Sequence, residues 1–420
     1  MRFIYTLIFI IALPVIIVRL WVKDKKVPGY RIRWPERFGW IAPLKEDRKV
    51  IWVHAVSVGE VIAATPLVNR LLDEDNLALI ITTMTPTGST RVLKAFGDKV
   101  YHVYAPYDLP WTVATFLRRT KPSLAIIMET ELWPNTLHTC AEFDVPTLLA
   151  NARMSSRSAR GYLRFPKTTK QLINLIDMVG VQNKKDGERF LQMGLSSERL
   201  RITGSIKFDI SIEGKLKQAA ITLKRQFTLG ERAIFIAAST HEGEDEVILD
   251  AFTKILNCDP SCLLLLIPRH PERFDDVTLL AQERFTTLRR SLNQAPSAET
   301  QVVVGDTMGE MMLLYGIADF AFVGGSLIER GGHNMIEPAS WGLPVLSGPH
   351  TFNFADISSR LIECGGMFTT ANADEIADMA CKFLTEPNFR KQAGRQALSF
   401  TEQNRGALNR LMDLVKPYLD

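Results

Sequence analysis

The sequence predicts an α/β protein of two Rossmann-like domains, each a parallel sheet with helices on both faces, preceded by an N-terminal membrane-anchor helix. Three observations carry this. From Lys49 onward, short apolar runs alternate with capped, helix-like stretches, and the alternation restarts at Ala233 after a charged segment. Residues Phe3 to Val18, FIYTLIFIIALPVIIV, form an uncharged run flanked by Arg2 and Arg19. Strand–helix alternation implies parallel strands joined by crossovers, and ligands in such sheets bind at the carboxyl ends of the strands.

The apolar run is a little shorter than the ~20 residues that cross a bilayer core, and Leu20, Trp21 and Val22 extend it if Arg19 snorkels. No small-residue cleavage site follows, so a retained anchor is expected. Lys23, Lys25, Lys26, Arg31, Arg33 and Arg37 come next, and by the positive-inside rule they keep the body of the protein on the cytoplasmic side. The 420 residues suffice for two domains; 46% hydrophobic and 23% charged content argues against wholesale disorder. A net charge of +4 with no basic stripe interleaved with aromatics excludes a nucleic-acid binder. Cys140, Cys258, Cys262, Cys364 and Cys381 are odd in number and scattered. They read as packing residues of a reducing compartment rather than as a disulfide framework or a metal site.

In the first domain, Val50 to Val56, Leu77 to Thr82, Ser123 to Met128 and Thr147 to Ala150 read as strands, with helices at Glu60 to Leu72 and Ser89 to Phe96. Polar clusters fall after the strands. Ser57-x-x-Glu60, in HAVSVGE, has the pattern of a capping box, which makes a sound helix start and needs no further role. Thr82 to Thr90, with Thr83, Thr85 and Gly88, suits an anion site and a helix cap equally. Glu129 and Glu131 follow a buried strand beside Trp133-Pro134, where acids are costly without partners. Asn151 to Tyr162 sets Arg153 and Arg157 among serines such as Ser155, suited to a phosphorylated ligand. Leu200 to Asp209 ends the domain, and the charged, turn-rich segment from Glu213 to Glu231 reads as the linker.

The second domain opens with Ala233 to Asp245, a strand whose loop carries Ser239, Thr240, His241 and Glu242. Leu263 to Phe274 is a strand followed by Arg269 and His270, and an arginine there can neutralise a phosphate bidentately. The densest stretch is Phe320 to Phe354, FAFVGGSLIERGGHNMIEPASWGLPVLSGPHTFNF. A strand runs into Gly324-Gly325 and Ser326; Gly331-Gly332 then precede a segment from His333 to Trp341 that reads as a helix closed by Gly342. Glycines and a helix N-terminus together outline a phosphate site. Glu329, Arg330, His333, Asn334, Glu337, Ser347, His350 and Asn353 crowd the same loops, more polar groups than a plain turn requires.

The GGSLIERGGHN-x-x-EP run followed by GPHTFNF closely resembles the donor-binding segment of the bacterial 3-deoxy-D-manno-octulosonic acid (Kdo) transferases, lipid A glycosylating enzymes of GT-B fold. The HAVSVGE, TTMTPTGST, METELWPN, NARMSSRSARGY and GSIKFD segments are similar to that family as well. The resemblance implies two Rossmann-like domains facing a cleft, with boundaries here at 1–22 (anchor), 23–212 (acceptor side), 213–404 (donor side) and 405–420 (a helix crossing back). It implies an inverting transfer of Kdo from CMP-Kdo to the lipid A precursor lipid IVA at the cytoplasmic face of the inner membrane, with Glu60 as general base. Arg269, His270, Gly324, Gly325, Ser326, Gly331, Gly332, His333, Asn334, Glu337 and Lys207 are then expected on the donor. Within that set Glu337 would take the ribose hydroxyls, while Arg269, Lys207 and the helix N-terminus at Asn334 would take the phosphate. Ser57, Gly59, Thr83, Thr85, Gly88, Glu129, Glu131, Asn151, Arg153, Ser155 and Arg157 are expected in the acceptor cleft. No cofactor or metal is expected, and the partners are CMP-Kdo, lipid A precursor and inner-membrane lipids. A transferase using a UDP-sugar is the alternative; a nucleotide-sugar 2-epimerase and a tethered binding module account less well for the anchor and the cleft motifs together.

Overall fold

The computed structural model describes residues 2–25, 28–228 and 232–419. The chain forms two compact units, Met1–Asp209 with Arg405–Asp420, and Ile210–Asn404. In the first, seven parallel strands, β1 (Lys49–His54), β2 (Leu77–Thr83), β3 (Tyr101–Tyr104), β4 (Leu124–Met128), β5 (Thr147–Ala152), β6 (Met178–Val181) and β7 (Leu200–Ile202), lie in the order β3-β2-β1-β4-β5-β6-β7. The second unit is also a seven-stranded parallel sheet. Its strands are β8 (Ile234–Thr240), β9 (Leu263–Pro268), β10 (Thr287–Arg289), β11 (Val302–Val304), β12 (Phe320–Val323), β13 (Val345–Ser347) and β14 (Met367–Thr369), ordered β10-β11-β9-β8-β12-β13-β14. The strands are continuous apolar runs because helices cover both faces: every residue of β2, β4 and β9 is buried.

The helix Val58–Leu72 lays Val61, Leu67, Val68 and Leu71 on the first sheet, and the helix Ala407–Val415 adds Leu411, Met412 and Val415 to the same core. In the second unit Phe320 stacks on Phe235 with ring centroids 4.9 Å apart, and the helices Asp245–Cys258 and Ala373–Thr385 close over them.

The N-terminal run is a single helix, Arg2–Asp24, with no buried residue, and Phe3 and Ile11 are largely exposed. At 23 residues it is about 34 Å long, compatible with a membrane anchor. Its first turn is tied to the body of the unit, where Arg2 Nε donates to Asn135 Oδ1 (3.0 Å). Lys26, one of the basic residues counted after it, lies outside the described residues.

The structure corrects three expectations from the sequence. Gly214–Thr228, read as turn-rich linker, is a 15-residue helix that buries Ala220, Leu223 and Phe227, a spacing of three and four that its charged neighbours obscure. Glu231, the end of that linker reading, lies outside the described residues. Cys258 and Cys381 are not packing residues; they form a disulfide between the helices Asp245–Cys258 and Ala373–Thr385. A sequence separation of 123 residues hides such a pair from any spacing argument. The helix expected from His333 to Trp341 is one turn, Ile336–Ser340. His333 N donates instead to Gly324 O (3.2 Å) and Gly332 N to Gly325 O (2.7 Å), pinning the segment back onto the preceding loop.

Candidate active site

In an open parallel sheet the strand order reverses at one point, and the loops on either side of it splay apart to leave a crevice. In the first unit that point lies between β1 and β4, in the second between β8 and β12. Polar clusters follow all four of these strands, and further ones follow the neighbouring strands β2, β5 and β9.

After β1 the chain turns through Ser57, whose Oγ accepts from Glu60 N (3.3 Å) and caps the helix Val58–Leu72. The Glu60 side chain folds back: Oε2 accepts from Val56 N (2.9 Å) and Oε1 from the Ser57 hydroxyl (2.9 Å). The capping-box reading is therefore correct as geometry, yet Glu60 is only 7% exposed, unusually buried for a helix-start acid. Burial first, and then the negative charge of Glu131, push its carboxyl up to about 7, against the two hydrogen bonds, which pull it down.

After β4, Glu129 stands in the left-handed region (φ 54°), and within β5 so does Asn151 (φ 54°). Neither is glycine, so each is held there against its own preference. Asn151 is fully buried, its Oδ1 accepts from Ile206 N (3.2 Å), and its Nδ2 has no partner among the described residues. Glu129 pairs with Arg153 (2.9 Å), and Glu131 accepts from Trp133 Nε1 (2.7 Å), which answers the cost of two acids at one strand end. Lys207, on the turn Ile206–Phe208 of this unit, lies near enough to feel both Glu129 and Arg153; burial is the main cause that lowers its ammonium below the ordinary lysine range. It thus belongs with the acidic strand-end cluster of the first unit. Other expected residues are structural caps: Thr85 Oγ1 accepts from Gly88 N (3.1 Å), and Ser155 Oγ from Ser158 N (3.0 Å). Thr83 Oγ1 contacts His102 Nε2 (3.0 Å), while Gly59 and Arg157 are exposed.

In the second unit the decisive residue is one that sequence reasoning missed. Glu244, fully buried, accepts four backbone N–H groups: His241 (3.0 Å), Gly325 (2.7 Å), Ser326 (3.0 Å) and Leu327 (2.9 Å). The glycine loop after β12 is therefore closed on a carboxylate of the chain itself, and the amides expected to cradle a phosphate at Gly325 and Ser326 are already paired. Gly324 is required for a different reason, since a Cβ there would lie 2.5 Å from Ser239 O. Ser239, like Asn151, is a non-glycine residue at positive φ (59°) beside an irregularity in its strand register.

A set of polar side chains gathers around this loop. His241 Nε2 and His333 Nε2 are 2.8 Å apart with the rings stacked, and the His270 ring sits edge-on to His241 at 5.3 Å. His333 is pushed down to about 4, by burial first and then by the charge of Arg269. Arg269, exposed at the end of β9, also acts on Glu337, whose carboxyl is raised by burial and accepts from Asn334 Nδ2 (3.1 Å). Asn334 Oδ1 accepts from Ile336 N (3.1 Å), so the expected phosphate site at a helix start is replaced by an asparagine turn. Gly331 and Gly332 both take positive φ (88° and 74°) in the bend leading to it.

A family profile described as 3-Deoxy-D-manno-octulosonic-acid transferase (kdotransferase) matches residues 32–210. Over its whole length the chain is 44% identical to a 3-deoxy-D-manno-octulosonic acid transferase of Haemophilus influenzae, covering 99% of that protein. The chain belongs to the 3-deoxy-D-manno-octulosonic acid transferase family. It is also 34% identical to the transferase of that name from Bordetella pertussis, covering 100% of this chain and 99% of that one. Among solved structures, the UDP-GlcNAc 2-epimerase from Neisseria meningitidis superposes with a TM-score of 0.58 at 12% identity, covering 88% of this chain and 100% of the other. At that identity the likeness shows a shared GT-B-like fold and nothing more.

As a Kdo transferase, the chain is a glycosyltransferase, and both sheets carry polar clusters at the carboxyl ends of their switch-point strands and of the strands beside them. The sequence did carry a signal for Glu244: it is the second glutamate past a buried strand, in T-H-E-G-E-D, where Glu242 drew attention instead. Glu242 is exposed.

Proposed function

We propose that the chain transfers Kdo from CMP-Kdo to the lipid A precursor lipid IVA by a single inverting displacement, at the cytoplasmic face of the inner membrane. The observation that carries this reading is Glu60: a buried carboxylate at the β1 switch-point loop, poised near neutrality, in a chain of the Kdo transferase family. An acceptor hydroxyl oxygen forms a bond to the anomeric carbon of Kdo, and its proton passes to a Glu60 oxygen. The bond from that carbon to the phosphate oxygen breaks, and CMP leaves with the electron pair. A carboxyl with a value near the working pH is matched to that proton transfer. Arg269 meets the phosphate charge, His333 and His241 line the donor loop, and Glu337 with Asn334 takes the ribose. Arg153 and Lys207, beside Glu129, serve the acceptor side. No metal is assigned a role. The backbone strain at Glu129, Asn151 and Ser239 falls at strand ends, where such strain accompanies binding sites.

The reading has a pH signature. The base acts only when ionised, and its carboxyl is raised, so activity is lost as pH falls through about 7 rather than through the ordinary carboxylate range. A profile of kcat/KM should rise about tenfold per pH unit below that value and level off above it. An acid limb centred near the ordinary glutamate value would contradict the assignment.

A further inference from the structure

The N-terminal helix, Arg2–Asp24, is bound to the first unit along one side. Between Arg2 and Arg19 only Tyr5 and Thr6 have polar side chains, and Arg2, Tyr5 and Thr6 all meet polar groups of the body. Arg2 pairs with Glu142, Asn135 Nδ2 donates to Thr6 Oγ1 (3.0 Å), and the Tyr5 hydroxyl hydrogen-bonds the Asp108 carboxylate. Asn135 and Asp108 are buried, and buried polar groups require such partners. One turn on, the Phe9 ring lies 6.2 Å from that of Tyr107. Half-buried positions continue at Leu13, Ile16 and Leu20, every three to four residues, so a single stripe of the helix is turned to the protein.

The far end is held too. Asp24 Oδ1 accepts from Gly29 N (2.9 Å), and a Cβ at Gly29 would lie 3.1 Å from Pro86 Cβ. The helix thus runs past the loops that follow β4, β3 and β2, and Tyr162 interacts electrostatically with both Tyr5 and Glu131. A spanning helix cannot keep these contacts. Roughly 27 Å of helix separates Thr6 from Asp24, nearly the thickness of a bilayer core, so spanning carries Thr6 into the far leaflet, away from Asn135.

The opposite stripe is apolar and exposed: Phe3 is 78% exposed, Ile11 69% and Val15 68%. Soluble monomers rarely present so long an apolar surface. Around Tyr162 the chain is basic. Between Asp144 and Asp177 there is no acid, while Arg153, Arg157, Arg160, Arg164, Lys167 and Lys170 are all exposed. Leu163 and Phe165 are exposed among them. An apolar stripe beside an acid-free basic segment complements acyl chains beneath anionic headgroups.

We propose that the helix Arg2–Asp24 lies in the plane of the membrane, its outer stripe sunk into the leaflet that faces the body, rather than crossing the bilayer, with the basic segment 153–170 on the headgroups beside it. The loops after β3 and β4 are then held at the lipid surface.

The test is protease protection of the full chain carrying one epitope ahead of Met1 and a different one after Asp420, in intact spheroplasts and in inverted membrane vesicles. Both epitopes are expected to be lost together, in inverted vesicles and not in spheroplasts. Loss of both in spheroplasts alone also supports the in-plane helix, and moves the body to the other side of the membrane. Loss of the two epitopes from opposite faces shows a spanning helix and overturns the proposal. A second arm uses Arg2→Lys, which keeps the ion pair with Glu142. Carbodiimide coupling in inverted vesicles is expected to join the two side chains within one chain, as read by mass spectrometry. Absence of this link overturns the proposal, and so does a link found only between two chains, which would mean that the helix packs on a second copy.

Discussion

Replacing Glu60 with glutamine is expected to lower kcat by roughly 10²–10⁴ while CMP binding stays within about twofold, because the change removes the proton acceptor and little else. The isostere keeps an oxygen for Val56 N or the Ser57 hydroxyl, so the helix start survives. Glu60→Ala should lose as much activity and also some stability, through the cap, of about 1 kcal/mol. The pair of variants separates the two roles of this residue. Activity of Glu60→Gln within about threefold of the parent would remove Glu60 from the chemistry and leave it a helix-start residue.

The second large effect is expected at Glu244. Its four N–H donors are buried, and neither alanine nor glutamine can replace both oxygens. Glu244→Gln turns one oxygen into an amide NH₂ that faces donors, so two backbone N–H groups lose their partner, at a cost of about 2–4 kcal/mol. For a unit of this size that is a fall of roughly 5–15 °C in melting temperature, with loss of CMP binding as the Gly325–Leu327 loop opens. Thermal unfolding followed by circular dichroism checks it; a shift below about 2 °C would mean that the loop is held by other interactions.

These two glutamates also show what the sequence revealed and what it concealed. Glu60 was legible because its partners are local: Ser57 is three residues away, and the strand before it is a continuous apolar run. The parallel sheets were legible for the same reason, since β2 and β9 are buried on both faces and read as unbroken apolar stretches. Glu244 was not legible as the closure of the glycine loop, because that loop lies about eighty residues further on and nothing in the spacing links them. The glycine pattern reads as a phosphate cradle, whereas the chain supplies its own carboxylate to the same amides. His333 carried a signal, but its stacking on His241 depends on two strand ends meeting at the switch point. The disulfide of Cys258 and Cys381 and the one-turn helix at Ile336–Ser340 are likewise products of tertiary packing, and local pattern is silent about those.

The most direct test is transfer of Kdo from freshly generated CMP-Kdo to lipid IVA by the purified full-length chain with EDTA present, the product weighed by mass spectrometry. A product heavier by whole Kdo residues, formed at the same rate with and without the chelator, is expected. No product with this donor and acceptor, or a product that appears only when a divalent ion is restored, would contradict it.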